Sequence, residues 1–388
     1  MLDWLIIGGG VHGTHLSNLL LHEAGVPSGK LAVIDPFKAP LTAWRRRARA
    51  CGMPYLRSPA THNIDLHILS VHRFARTPEG RPTADFIPNY YRPSTALFER
   101  HCDHVVRVRG LAGVRVAGLA LAVRETGGGL MVSTNAGPME TRRVILTIGP
   151  PERPCWPGWA LALRREGVPV SHVFDPAFRR PETPESMETV IIGGGITAVQ
   201  AALALAPMTA GRITLISRHP LRIHNLDFDP CWIGPKCLRS YAGTPYPRRR
   251  AIIDAARHRG TVPEETAAAF DQLTREGRAA FRVGRVREAS WRSGRIRIST
   301  DDGVWHADRI LLATGFGPER PGGSLTDQMV GELGLETEAC GYPVLDEGYR
   351  WHPRIFVTGA LAELRGGPCA RNIVGARNAG REILKAAL

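Results

Sequence analysis

The stretch Leu5-Ile6-Ile7-Gly8-Gly9-Gly10-Val11-His12-Gly13 decides the fold of this 388-residue chain, because it recurs. Its counterpart is Val190-Ile191-Ile192-Gly193-Gly194-Gly195-Ile196-Thr197-Ala198. Each copy is an apolar strand, then G-x-G-x-x-G/A, then an apolar helical stretch. That stretch carries Leu16, Leu19 and Leu20 in one copy and Val199, Leu203 and Ala206 in the other. The first glycine makes a tight turn, the second admits a pyrophosphate against the backbone, and the third small residue lets helix pack on strand. The helix start adds free N–H groups and the positive end of its dipole. Two copies in matching context imply two dinucleotides, and therefore electron transfer between them.

What each turn binds is read at the end of the next strand. The first returns as Leu31-Ala32-Val33-Ile34-Asp35, an acid placed to accept hydrogen bonds from ribose hydroxyls. The second returns as Ile213-Thr214-Leu215-Ile216-Ser217-Arg218-His219. A carboxylate there would repel a 2′-phosphate, whereas a guanidinium pairs with it. The first site suits FAD or NAD and the second NADP. Gly8, Gly10, Gly13 and Asp35 are expected to hold the adenine half of FAD. Gly193, Gly195, Ala198, Ser217 and Arg218 are expected to hold NADP(H), the plainer reading being that Ser217 and Arg218 cap an exposed strand.

A formal charge of +14 suggests nucleic acid or an anionic membrane at first sight. Lysine, however, occurs only at Lys30, Lys38, Lys236 and Lys385, a skew that fits codon bias with a largely solvated charge. Clusters such as Arg45-Arg46-Arg47 and Arg248-Arg249-Arg250 are short, scattered and free of interleaved aromatics, which argues against a nucleic-acid platform. Glycines interrupt the two most apolar windows, so no membrane span is expected. Met1-Leu2-Asp3-Trp4 lacks a basic start, and a cytoplasmic location is the default expectation. The cysteines Cys51, Cys102, Cys155, Cys231, Cys237, Cys340 and Cys369 form no C-x2-C or C-x4-C pair. Free thiols are expected, and no zinc or other metal site.

The organisation follows from the anchors. A β-α-β unit spans residues 2–35, and a helix near 94–103 is capped by Ser94. The runs 114–116, 119–123 and 130–133 read as an antiparallel meander, and 144–149 as a buried parallel strand. Residues 150–187 are dense in proline and are expected to cross to another domain. The second β-α-β unit begins near Thr189, residues 354–360 return as a buried strand, and a helix follows at about 370–387. The fold class is α/β with two Rossmann-like dinucleotide-binding domains. An FAD domain with the meander occupies 1–175 and 308–388, and an NADP(H) domain over 186–307 is inserted in it.

The chain resembles the NADPH-dependent flavin monooxygenases, particularly the branch that hydroxylates lysine or ornithine side-chain nitrogens. Gly193 to Ala198 is similar to their second turn, and Asp308-Arg309-Ile310-Leu311-Leu312-Ala313-Thr314-Gly315-Phe316 to their ATGY signature. Val170-Ser171-His172 falls where these enzymes carry a His-Ser pair, and Met53 to Pro59 is a loose match to their flavin-contacting loop. The resemblance implies that Arg57 and Ser58 meet flavin or NADPH phosphates, a surface turn being the alternative. It further implies that Gly315, Gly359 and Ala360 approach the cofactors and that Asn372 opens the last helix beside the flavin pyrimidine. His62, Asn63 and Asp65 form a compact polar run that reads as loop residues with local hydrogen bonds, the alternative being that they line the flavin face. The cofactor performs the hard step, so no catalytic side chain is singled out. The leading expectation is an N- or S-hydroxylating monooxygenase using a small-molecule substrate and molecular oxygen. The runner-up is a reductase passing electrons without oxygen insertion, and the third a flavoprotein with no turnover. The resemblance also leaves a homo-oligomer open.

Overall fold

The computed structural model describes residues 1–149, 153–181, 183 and 186–387, so part of the proline-dense crossing lies outside the described residues. Strand Leu2–Ile7 feeds helix Val11–His22, and the chain returns along Leu31–Asp35, parallel to the first strand. These strands pair on into an eight-stranded sheet. Leu5, Ile6, Val144, Ile145 and Leu146 have no exposed surface, as befits parallel strands covered on both faces. Ser94 caps helix Thr95–Val108 as expected, its Oγ accepting from the Leu97 N–H at 3.1 Å.

The meander forms with different members. Arg115–Ala117 pairs in parallel with Leu31–Asp35 and belongs to the nucleotide sheet. The meander proper is Ala120–Glu125, Leu130–Thr134 and Met139–Leu146. That last strand starts earlier than the apolar run Val144–Gly149 suggested, because one continuous strand has two tasks. Its start pairs antiparallel with Leu130–Thr134, and along its length it pairs in parallel with Leu2–Ile7. Ile355–Val357 then joins its other edge in parallel.

The second glycine turn lies in a five-stranded parallel sheet ordered Ala279–Val283, Ile213–Ser217, Thr189–Ile192, Arg309–Leu312, Val170–His172. Two of these strands fall outside 186–307. The sheet recruits Val170–His172 from before the crossing and Arg309–Leu312 from after it. Sheet pairing, not local composition, draws them in.

The two units touch closely. Helix Thr42–Cys51 ends at Gly52 in the left-handed region, φ +68°. A Cβ there would stand 2.3 Å from Ala204 Cβ, on the helix that follows the second turn. Arg92, almost wholly buried, pairs with Glu265 across the same junction at 2.7 Å. The last helix, Ile373–Ala387, packs on Val11–His22 through Gly380, where a Cβ would come within 2.8 Å of Leu19. Among the described residues no helix is long and apolar enough to cross a membrane.

Gly52→Ala should therefore lower stability by about 1–3 kcal/mol, from the left-handed backbone and the contact with Ala204 together. Chemical denaturation at fixed pH measures it, and an unchanged midpoint would contradict the close packing.

Candidate functional site

At the first turn Gly8 has φ +110°, and a Cβ on it would lie 2.8 Å from the Thr147 carbonyl oxygen. A Cβ on Gly13 would fall 1.9 Å from the Gly8 oxygen, so helix and strand meet backbone to backbone. Gly10 differs, since a Cβ there meets no atom within 4 Å. Gly10 is also the helix N-cap and supplies no side chain, which leaves the first-turn N–H groups for a ligand. The cradle fits a pyrophosphate. Asp35 ends the second strand as expected, but its carboxylate closes the turn as well. Oδ2 accepts from the Gly9 N–H at 2.6 Å and Oδ1 from the Phe37 N–H at 2.9 Å.

Arg115, which sequence reasoning missed, lies 3.7 Å from Asp35 and donates to the carbonyls of Phe37, Lys38 and Ala39. Its guanidinium stands against Gly9, where a Cβ would come within 2.4 Å of Nη1. The signal available was a lone arginine three residues before the chain leaves the sheet edge, too weak to single out.

The second turn repeats the close approach. A Cβ on Gly193 would meet the Ala313 oxygen at 2.6 Å, and one on Gly194 the Ser217 hydroxyl at 2.1 Å. Ala198 is fully buried and Gly195 caps helix Ile196–Leu205 without a side chain. Ser217 is buried beneath the turn, its Oγ accepting from the His219 N–H at 3.3 Å. Arg218 is exposed beside it. One neighbour was not foreseen. Gly260, with φ +66°, comes so close to Gly195 that an added Cβ would lie 3.2 Å from the Gly260 Cα. Gly315, φ +77°, follows Arg309–Leu312 at the end of the same sheet, and its carbonyl accepts from the Cys155 N–H at 2.8 Å.

Arg57 does not reach outward. Its guanidinium donates to the carbonyls of His224, Asn225 and Leu226, to Thr261 Oγ1 at 2.6 Å and to Asp227 Oδ1 at 2.8 Å. Arg57 thus acts as a clasp on the second unit, a role the sequence did not suggest. Ser58 lines a cavity of about 10 Å³ with Arg57, His62, Asp227, Ile233 and Asn372. That is room for one water. Asp227 is held below the usual carboxylate range, against its burial, by Arg57 and Arg257.

His12, a variable position by motif, is a buried tie between the two ends of the chain. The Asn372 carbonyl can only accept, so His12 Nε2 donates to it at 3.1 Å and Nδ1 accepts from Thr358 Oγ1 at 2.9 Å. Gly359, φ +76°, lies against this ring, 3.7 Å from Nδ1 by its would-be Cβ, and Ala360 is buried beside it. Burial pushes the His12 pKa down to about 4. His172 is likewise lowered to about 4 by burial, with Nδ1 accepting from the Phe174 N–H and Nε2 donating to Thr314 Oγ1 at 3.2 Å. Asn63 and Asp65 make the local bonds expected of them, and Arg377 of the last helix donates to the carbonyls of Asn63, Asp65 and Leu66.

Cys231 and Cys237 are joined in a disulfide, which corrects the expectation of free thiols there. The intervening turn brings the two Cα atoms to 5.2 Å, something a spacing rule alone does not reveal. The other five cysteines are free. No cluster of metal-ligating side chains occurs among the described residues.

A family model described as pyridine nucleotide-disulphide oxidoreductase matches residues 132–382. No curated protein matches the sequence. In fold the chain is similar to ornithine hydroxylase from Pseudomonas aeruginosa, with TM-score 0.74 and 18% identity over 100% of this chain and 99% of that one. The FAD-bound cadaverine monooxygenase of desferrioxamine biosynthesis from Erwinia amylovora gives TM-score 0.75 and 13% identity, covering 100% of this chain and 94% of its own. L-lysine 6-monooxygenase from Pseudomonas syringae gives 0.74 and 16% identity, covering 100% and 99%. At these identities the likeness is one of fold.

The buried neutral histidines set a pH dependence. His12 and His172 titrate near 6.5 unfolded and near 4 folded, so the unfolded chain binds more protons in between. Their contribution is complete above pH 6.5 and is lost as pH falls toward 4. Stability should drop by roughly 2 kcal/mol per histidine between pH 7 and 5. His12→Gln should flatten the slope by about one proton in denaturation run at both pH values.

Proposed function

The chain belongs to the pyridine nucleotide-disulphide oxidoreductase family, and from that premise we propose an FAD-dependent enzyme that draws hydride from NADPH and hydroxylates a small amine or sulfur nucleophile with molecular oxygen. The observation that carries the reading is the pair of glycine cradles, each opening on a helix N-terminus with no side-chain cap. Two such anion sites call for two dinucleotides. Fold likeness over the whole chain to three solved N-hydroxylating monooxygenases supports the choice of reaction.

In this reading Gly8, Gly10, Gly13 and Asp35 receive the adenine half of FAD, with Gly359, Ala360 and Asn372 toward the ring. Gly193, Gly195, Ala198, Ser217 and Arg218 receive NADP(H), with Gly315 at the sheet end between the two. The bound flavin supplies hydride acceptance and electron transfer to oxygen. The protein's part is to orient the two nucleotides and keep water out. Arg57 and the Arg92–Glu265 pair hold the units in register for that purpose. A catalytic acid–base pair is not required for this chemistry.

A reductase without oxygen insertion is the second reading, favoured by the Cys231–Cys237 disulfide, whose loop places Ile233 in the Asn372 cavity. The two part in one assay. A monooxygenase given NADPH, heavy-isotope dioxygen and diamines or basic amino acids should yield a labelled hydroxylamine, with NADPH oxidation accelerated by the amine. NADPH oxidation that needs a disulfide or quinone and incorporates no label would overturn the monooxygenase reading.

Gly10→Ala separates cofactor from fold. The added methyl meets no protein atom within 4 Å, so thermal stability of the apoprotein should be unchanged. FAD affinity should fall by about tenfold or more, as read by flavin fluorescence quenching.

A further inference from the structure

The two glycine cradles differ in one respect. A Cβ added to Gly10 meets no atom within 4 Å, whereas one added to Gly195 lies 3.2 Å from the Cα of Gly260 and 3.6 Å from its carbonyl carbon. The second fixed glycine of such a turn is bare so that a pyrophosphate can lie against the backbone. At the second cradle the protein's own chain fills that space. The occupant is the tip of a loop running from His258 to Thr261, in which Gly260 is exposed with φ +66°.

The loop is held from outside the cradle. Thr261 Oγ1 donates to the His258 carbonyl at 2.6 Å and accepts from Arg57 Nη2 at 2.6 Å. The His258 N–H donates to the Asp227 carbonyl at 2.8 Å, and the Asp227 carboxylate accepts from Arg57. Thr261–Val262 pairs in parallel with Arg222–Ile223 in a two-stranded sheet separate from the five-stranded one. What the loop sets against the cradle is a glycine, small enough to enter and with no side chain to anchor it there. Resting on the NADP(H) reading above, we propose that His258–Thr261 is a strap seated in the second cradle and that NADP(H) binds by displacing it. The apparent affinity for the nucleotide is then reduced by the fraction of chains whose strap is open. Arg57 reaches the strap from the first unit, so that unit takes part in setting the balance.

The left-handed backbone of Gly260 makes the strap testable. A Cβ on it would lie 3.5 Å from His219 Nε2, an ordinary contact, so Gly260→Ala penalises the seated strap through its backbone and not by collision. In calorimetric titration of the FAD-loaded protein, Gly260→Ala should bind NADP+ about fivefold more tightly than wild type. It should bind 2′-AMP unchanged, because that fragment carries the 2′-phosphate but nothing that enters the cradle. Thr261→Val, which removes the hydroxyl that Arg57 holds, should tighten NADP+ binding in the same sense. In the wild type, saturating NADP+ should speed amide exchange at His258 and Arg259, whose N–H groups bond the Asp227 and Arg257 carbonyls. Exchange at the helix start, 196–199, should slow at the same time.

An unchanged or slower exchange at His258 and Arg259 with NADP+ bound overturns the strap, and that measurement stands even if a variant fails to fold. NADP+ binding no tighter in folded Gly260→Ala, or a gain shared equally by 2′-AMP, overturns it as well. Wild-type affinity in Thr261→Val overturns the part given to Arg57. Binding of neither NADP+ nor 2′-AMP by wild type or Gly260→Ala would overturn the NADP(H) reading itself, and this inference with it.

Discussion

Backbone must touch backbone at two points, and most of the molecule is arranged around that requirement. A side chain at Gly13 would collide with the Gly8 oxygen at 1.9 Å, and one at Gly193 with the Ala313 oxygen at 2.6 Å. Only with those side chains absent can each helix start sit over the edge of its sheet with its N–H groups turned outward. The strands feeding the turns are buried over most of their length, so the turns are held by the stiffest part of each unit. Thr147 reinforces the first from the neighbouring strand, donating to the Ile7 and Gly8 carbonyls.

The units are then fastened by charge as well as by packing. Arg57–Asp227 and Arg92–Glu265 cross the junction, and Gly52 lets two helices approach where any side chain would hold them apart. Glu363, fully buried, gathers Arg250 at 3.2 Å, Arg257 at 3.7 Å and Arg371 at 2.5 Å, tying helix Tyr246–Ala256 to the C-terminal loop. Buried ion pairs of this kind add little net stability, but removing one partner leaves a charge stranded. They specify one relative placement of the two units, and electron transfer between two bound nucleotides depends on that placement.

The sequence made the turns legible because their chemistry is local. The close approach at Gly13 was legible because its partner, Gly8, lies five residues away. The buried strands and the Ser94 cap were legible for the same reason. Arg115–Ala117 was misassigned because three alternating residues do not say which sheet edge they join. Val170–His172 was hidden in a proline-rich stretch and revealed only by its partner Arg309–Leu312, far along the chain. Arg57 reads the same as a phosphate ligand or as a clasp. Its role follows from the carbonyls of 224–226, which no spacing rule brings near it. His12 and the Cys231–Cys237 bridge were missed likewise, since their meaning lies in what folds against them.

The abundance of arginine takes on another meaning once its contacts are followed. Arg57, Arg115 and Arg377 each collect carbonyls from a loop, and Arg249 does the same for Ala242, Thr244 and Leu364. With 30 prolines the chain has many irregular stretches whose carbonyls find no ladder. A guanidinium, flat and rich in donors, can serve several at once where an ammonium cannot match the fork. Part of the positive charge is thus scaffolding turned inward, a substitute for secondary structure. Exchanging these arginines for lysine would keep the net charge and unpick the loops.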